Sequence, residues 1–187
     1  MAVGSLADRL AHGDEGAWEE LYREYRRGVI ALCMSFLHSR EDALDAAEEA
    51  FLKAFRNSKT VIANGNVRAW LFTIAANTCK DLLRKRQRGQ VWLKKWLPGK
   101  ESTFQEPSVA ETVEQQERHD AMRKAIAQLE ETYRVPLVLR YYEDMDYDQI
   151  ADMLSQIEGA PVQRGTVASR LNRAKQQLKE IMEGGPS

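Results

Sequence analysis

An all-α protein is predicted, built as two small helical bundles joined by a linker. Apolar residues recur at helical spacing through most of the chain, and no stretch alternates with the period of a strand. That periodicity lapses once, between Gly89 and Val113, where Pro98, Gly99 and Pro107 fall. The 187 residues suffice for one large domain or two small ones, and an apolar share of 43% suffices for packed cores. The expected division is residues 1–90, a linker at 91–112, and residues 113–187.

The first bundle is read in order. Ser5 with Asp8 has the form of a capping box and opens a short helix. After the Gly13-Asp14 break, Trp18, Leu21, Tyr22, Tyr25, Val29, Leu32, Cys33 and Phe36 keep the helical period over a longer helix. Ser39 with Asp42 is read as a second capping box. It starts a helix whose apolar side is expected to be Leu44, Ala47, Phe51 and Phe55, with Glu41, Asp42, Asp45, Glu48 and Glu49 outward. A loop, NSKTVIANGN, precedes a helix from about Val67 to Arg88. There Val67, Trp70, Leu71, Ile74 and Leu82 form the apolar side, while Thr73, Asn77, Lys80 and Arg84 share a polar face.

Inside the linker, Trp92, Leu93, Trp96 and Leu97 make a small apolar side beside Lys94 and Lys95. So short an amphipathic piece binds a bilayer weakly by itself, so Trp92 and Trp96 are expected to bury against protein. The second bundle begins near Val113 and runs through Met122, Ile126 and Leu129 into the stretch from Tyr133 to Leu178. This stretch reads as a helix, a second helix, a turn marked by Gly159 and Pro161, and a final helix. The last helix carries Arg164, Arg170, Arg173, Lys175 and Lys179 with no acid among them. Val167, Leu171, Ala174 and Leu178 face inward, and Thr166, Ser169, Arg170 and Arg173 share another side. A helix-turn-helix with a basic final helix has the form of a DNA reader, since cations neutralise phosphates while the helix enters the major groove.

A formal net charge of −1 conceals strong segregation. Between Lys80 and Lys100 there are eight Lys or Arg against one acid, Asp81; between Glu101 and Asp120 there are six acids against Arg118. Local patches, not totals, govern nucleic-acid contact, and two basic segments suggest two contacts. No apolar run approaches the ~20 residues of a membrane span, and no signal pattern opens the chain, so a cytoplasmic protein without membrane insertion is expected. Cys33 and Cys79 lack metal-ligand spacing and read as buried free thiols. His12, His38 and His119 are scattered, with no paired carboxylate and no Gly-rich phosphate loop, which argues against an enzyme, a metal site or a cofactor.

Four strings resemble the extracytoplasmic-function sigma factors, a class of RNA polymerase specificity subunits. DALDAAEEAFLKAFRN is similar to the family's polymerase-binding helix, NVRAWLFTIAANTCKDLLRKRQR to the helix that melts and reads the promoter −10 element, and LEETYRVPLVLRYYEDMDYDQIADML with GTVASRLNRAKQQL to the −35-reading domain. The resemblance implies core polymerase, promoter DNA and an anti-sigma factor as partners. It implies polymerase contacts at Asp45, Glu48, Glu49 and Phe51, and −10 contacts at Asn77, Lys80, Arg84 and Arg88. It implies −35 contacts at Arg164, Thr166, Ser169, Arg170, Arg173 and Lys175, with Arg170 and Arg173 setting recognition and Arg164 and Lys175 anchoring phosphates. A helix-turn-helix regulator acting without polymerase is the other reading, but it would have no use for the acidic helix or the Asn77-Lys80-Arg84 face.

The chain departs from the family pattern in three places. Ala47 and Glu48 stand where an aliphatic residue and Gln are usual, and the linker is Trp-rich. Ten residues, Ser155 to Arg164, also separate Leu154 from Gly165, where the pattern has about four. Ile157 continues the series Tyr147, Ile150, Ala151, Leu154, so one further helical turn stopping at Gly159 is expected, with the reading helix left in its usual seat.

Overall fold

A computed structural model describes residues 5–37, 39–60, 66–93 and 113–184. Among these, all regular structure is helical: α1 (Leu6–Ala11), α2 (Glu15–Leu37), α3 (Arg40–Arg56), a 3-10 turn at Ser58–Thr60, α4 (Val67–Leu93), α5 (Val113–Gln128), α6 (Glu131–Tyr141), α7 (Tyr147–Glu158) and α8 (Arg164–Met182). The side chains of Arg88 and Trp92, and residues 94–112 with Trp96, lie outside the described part, as does the expected burial of the two tryptophans.

Local chemistry explains most boundaries. Ser5 and Asp8 form the expected reciprocal capping box on α1. At α3 only half of the expected box exists: Ser39 accepts from the Asp42 amide, but the Asp42 carboxylate turns instead to Arg86 on α4. That guanidinium holds Asp42 below the usual carboxylate range. α4 continues to Leu93, beyond the expected end at Arg88, because no Pro or αL turn stops it there. Gly159 closes α7 in the left-handed conformation, φ 70°, which only glycine adopts without cost. The extra helical turn therefore forms as its apolar series predicts, and Ile157 is buried. The Ser155 hydroxyl accepts from the Val162 amide at 2.8 Å and pins the connection that follows.

In the first unit, α2, α3 and α4 pack on one another. Of the expected apolar side Leu44, Ala47, Phe51 and Phe55, only Ala47 is buried; the buried side of α3 is Ala43, Ala46, Ala47, Ala50 and Ala54. Alanines at this spacing let three helix backbones approach closely, which pushes the bulkier rings to the flank. Tyr22 and Phe55, both assigned to the core by periodicity, are consequently 43% and 59% exposed. They form edge-on ring pairs at that flank, Tyr22 with Phe51 at 4.9 Å and Trp18 with Phe55 at 5.2 Å. Cys33 and Cys79 are buried free thiols, and their mutual hydrogen bond, with burial, pushes the Cys33 thiol up and keeps it protonated.

In the second unit α6, α7 and α8 form the helix-turn-helix, with α5 against α8. Val167, Leu171 and Ala174 are buried as expected, while Met122 is exposed. The two units share one contiguous apolar core, through α2 against α6 and α4 against α7.

Candidate nucleic-acid interface

The acidic side of α3 presents Asp45 and Glu48 to solvent, with Glu49 and Phe51 half-buried beside them. Next to it lies an apolar strip that periodicity did not find: Tyr22, Leu52 and Phe55 are all more than two-fifths exposed. Leu52 falls off the helix's inward side, and that position is the signal that marks it as an exposed apolar residue. The α3 surface thus combines carboxylates with exposed rings.

On α4, Asn77 is exposed, and Arg84 is exposed with an ion pair to Asp81 at 3.3 Å. Lys80, expected on the same polar face, is half-buried and donates to the Ile157 carbonyl of α7 at 2.5 Å. Two turns earlier on α4, the Thr73 hydroxyl donates to the Gln156 side-chain carbonyl at 3.2 Å. α7 therefore covers part of the polar face of α4.

On α8, Thr166, Ser169 and Arg173 are exposed and line a cleft of about 610 Å³ with Arg170, Gln163 and the start of α6 at Thr132 and Tyr133. Arg170 is engaged already: its guanidinium makes a two-point pair with the Glu158 carboxylate, Nη2 to Oε2 at 3.1 Å. Arg164 stands over the Tyr147 ring and 3.6 Å from Asp148, and Lys175 lies over the Tyr141 ring at 5.8 Å. Both remain mostly in solvent, where a passing phosphate can reach them.

The contacts that set one unit against the other escaped sequence reasoning. Arg134 is 4% exposed and donates to the Ser35 carbonyl at the end of α2, at 2.7 Å, and to the Leu129 and Ala127 carbonyls at the end of α5. Carbonyls in a last helical turn lack partners within their own helix, and a cation there also meets the negative end of the helix dipole. Arg68 donates to the Glu143 carbonyl at 2.7 Å and reaches the Gln149 side chain at 3.2 Å. The Glu143 carboxyl rests on α2 where Gly28 offers no side chain: a methyl there would stand 1.6 Å from Oε1 and 2.9 Å from Phe72 Cζ. Burial pushes Glu143 up to about 7, with Arg68 pulling the other way and Glu24 adding to the rise. Gly28, a glycine inside an otherwise apolar helical face, was the one local signal of this contact.

Comparison with known proteins fits this geometry. The sigma-70 region 2 family matches residues 21–89, and the sigma-70 region 4 family matches residues 119–178. The chain is 29% identical to the RNA polymerase sigma-H factor of Pseudomonas aeruginosa, over 95% of this chain and 92% of that one. It is 27% identical to the ECF RNA polymerase sigma factor SigW of Bacillus subtilis, over 96% of each. Among solved structures, the sigma factor RpoE bound to the anti-sigma factor NepR from Bartonella quintana shares the fold, with a TM-score of 0.66, 22% identity, and coverage of 88% of this chain and 98% of that one. CnrH in complex with the cytosolic domain of CnrY gives a TM-score of 0.64 at 19% identity, covering 97% of each chain.

Proposed function

This chain belongs to the extracytoplasmic-function sigma factors of the sigma-70 family, and from that membership we propose how its surfaces divide the task of starting transcription. It directs RNA polymerase to specific promoters; what carries this conclusion is the presence of both family regions, in order, at residues 21–89 and 119–178. The bond-making chemistry belongs to the polymerase, and this chain supplies recognition and strand separation.

Asp45, Glu48, Glu49 and Phe51 meet the core polymerase, joined by the exposed Tyr22, Leu52 and Phe55. Carboxylates steer the encounter with a basic surface, and the rings provide the area that is desolvated on docking. Asn77, Lys80, Arg84 and Arg88 take the separated −10 strand, since amides and cations suit an unstacked base and its flanking phosphates. Arg170 and Arg173 read −35 base edges beside Thr166 and Ser169, while Arg164 and Lys175 hold phosphates. The sigma factor RpoE, solved with the anti-sigma factor NepR, supports the same class of partner here. A factor that works on RNA polymerase acts where the polymerase is, in the cytoplasm; no described helix is long and apolar enough to cross a membrane.

The test is transcription from genomic fragments by purified core polymerase with and without the chain. Specific start sites that appear only with the chain are expected, and their absence on duplex and pre-melted templates alike overturns the reading. Asp45→Lys with Glu49→Lys should weaken polymerase binding at unchanged helicity.

A further inference from the structure

Between Leu154 and Gly165 the chain is longer than a helix-turn-helix needs, and part of the surplus is the last turn of α7, from Ser155 to Glu158. Three consecutive residues of that turn touch the two surfaces assigned above to DNA. Gln156 meets Thr73, the Ile157 carbonyl takes Lys80, and Glu158 takes Arg170. The two contacts that take a cation imitate a nucleic acid. The last carbonyls of α7 form the negative end of its dipole, so Lys80 finds there what a phosphate would offer. Glu158 presents two oxygens to the guanidinium fork, as a phosphate or the paired acceptors of guanine would.

We propose that the last turn of α7 is an intramolecular lock that occupies both DNA-reading surfaces of the free chain, and that promoter engagement exchanges Lys80 and Arg170 from this turn to nucleic acid. The inference rests on the sigma-factor reading. The two arms of the lock differ in reach. Releasing Arg170 needs only a side-chain rotation within the second unit. Releasing Lys80 and uncovering Thr73 requires α7 to leave α4, and therefore parts the units at Arg68, Arg134 and Gly28. Duplex contact can thus begin on a closed chain, whereas contact with the separated strand needs an open one.

Two measurements on the full chain test this. Brief acylation read by mass spectrometry compares Lys80 with Lys85, an exposed lysine on the same helix. Lys80 should react about fivefold or more slowly in the wild type, and the difference should shrink in Gly28→Ala, which drives a methyl into the contact between units. Glu158→Gln, an exposed change, should raise affinity for random-sequence duplex about threefold to tenfold and steepen its salt dependence by about one phosphate contact. Equal reactivity of Lys80 and Lys85 in the wild type, or duplex affinity and salt slope unchanged by Glu158→Gln, overturns the lock. If the wild-type chain still directs core polymerase to defined start sites, the lock alone has failed. If it directs none, the sigma-factor reading has failed and takes the lock with it.

Discussion

Arg134 satisfies three carbonyls that two helix ends would otherwise leave bare in the core. Removing it strands those acceptors and opens a void, so Arg134→Ala should cost about 2–4 kcal/mol by urea denaturation. Arg134→Lys should recover little of this, since one ammonium cannot span the positions a planar fork reaches. Glu143 acts in the opposite sense. Its carboxyl ordinarily titrates near 4.5 and is pushed up to about 7 where it sits against α2, facing Glu24 and Tyr25 on that helix and Arg68 on α4. Packing therefore favours the protonated acid. The stability that Glu143 contributes should be full below about 4.5, fall as pH rises towards about 7, and be lost beyond it, whereas the Asp42 pair loses its own contribution only in acid. Glu143→Gln should flatten that slope and be the more stable chain at pH 8 in the same urea assay. A slope unchanged by the substitution would assign the pH dependence elsewhere.

At the scale of the element, α3 shows what a pattern of large residues conceals. Its alanines at 43, 46, 47, 50 and 54 carry the helical period as clearly as its aromatics do, but periodicity weighs bulk, and so Phe51 and Phe55 were placed inside. Close backbone approach is a property of three helices together, which one helix's sequence does not state. Ala50→Leu should therefore cost about 1–3 kcal/mol through overpacking. Phe55→Ala, at 59% exposure, should barely alter the thermal midpoint while lowering affinity for core polymerase. A Phe55→Ala chain that loses stability but binds polymerase normally would return this ring to the core. The added turn of α7 was legible for the converse reason: Ile157 extends a local apolar series and Gly159 is a local stop signal. What that turn touches lies 77 residues away at Lys80, and nothing within the turn announces it.

For the whole molecule, the order and helical character of the two units could be read from the sequence, and their contact could not. The partners across it, α2 with α6 and α4 with α7, are far apart in the chain, and only Gly28 hinted at the fit. Limited proteolysis should cut between Arg88 and Arg118, where Pro and Gly interrupt the helical pattern. Because the units share a core, the two fragments should still co-elute on gel filtration and separate when Arg134→Ala is introduced. Fragments that part in the wild type would make the shared core too weak to hold the units. The Glu158–Arg170 pair also bears on how the chain shares a cell with its own genome. A chromosome offers about 10⁶–10⁹ non-specific sites, each a row of phosphates able to soak up a basic helix. With Glu158 seated on Arg170, α8 shows random DNA one cation fewer. The chain is then a poorer captive of the chromosome and spends more of its time free to find polymerase.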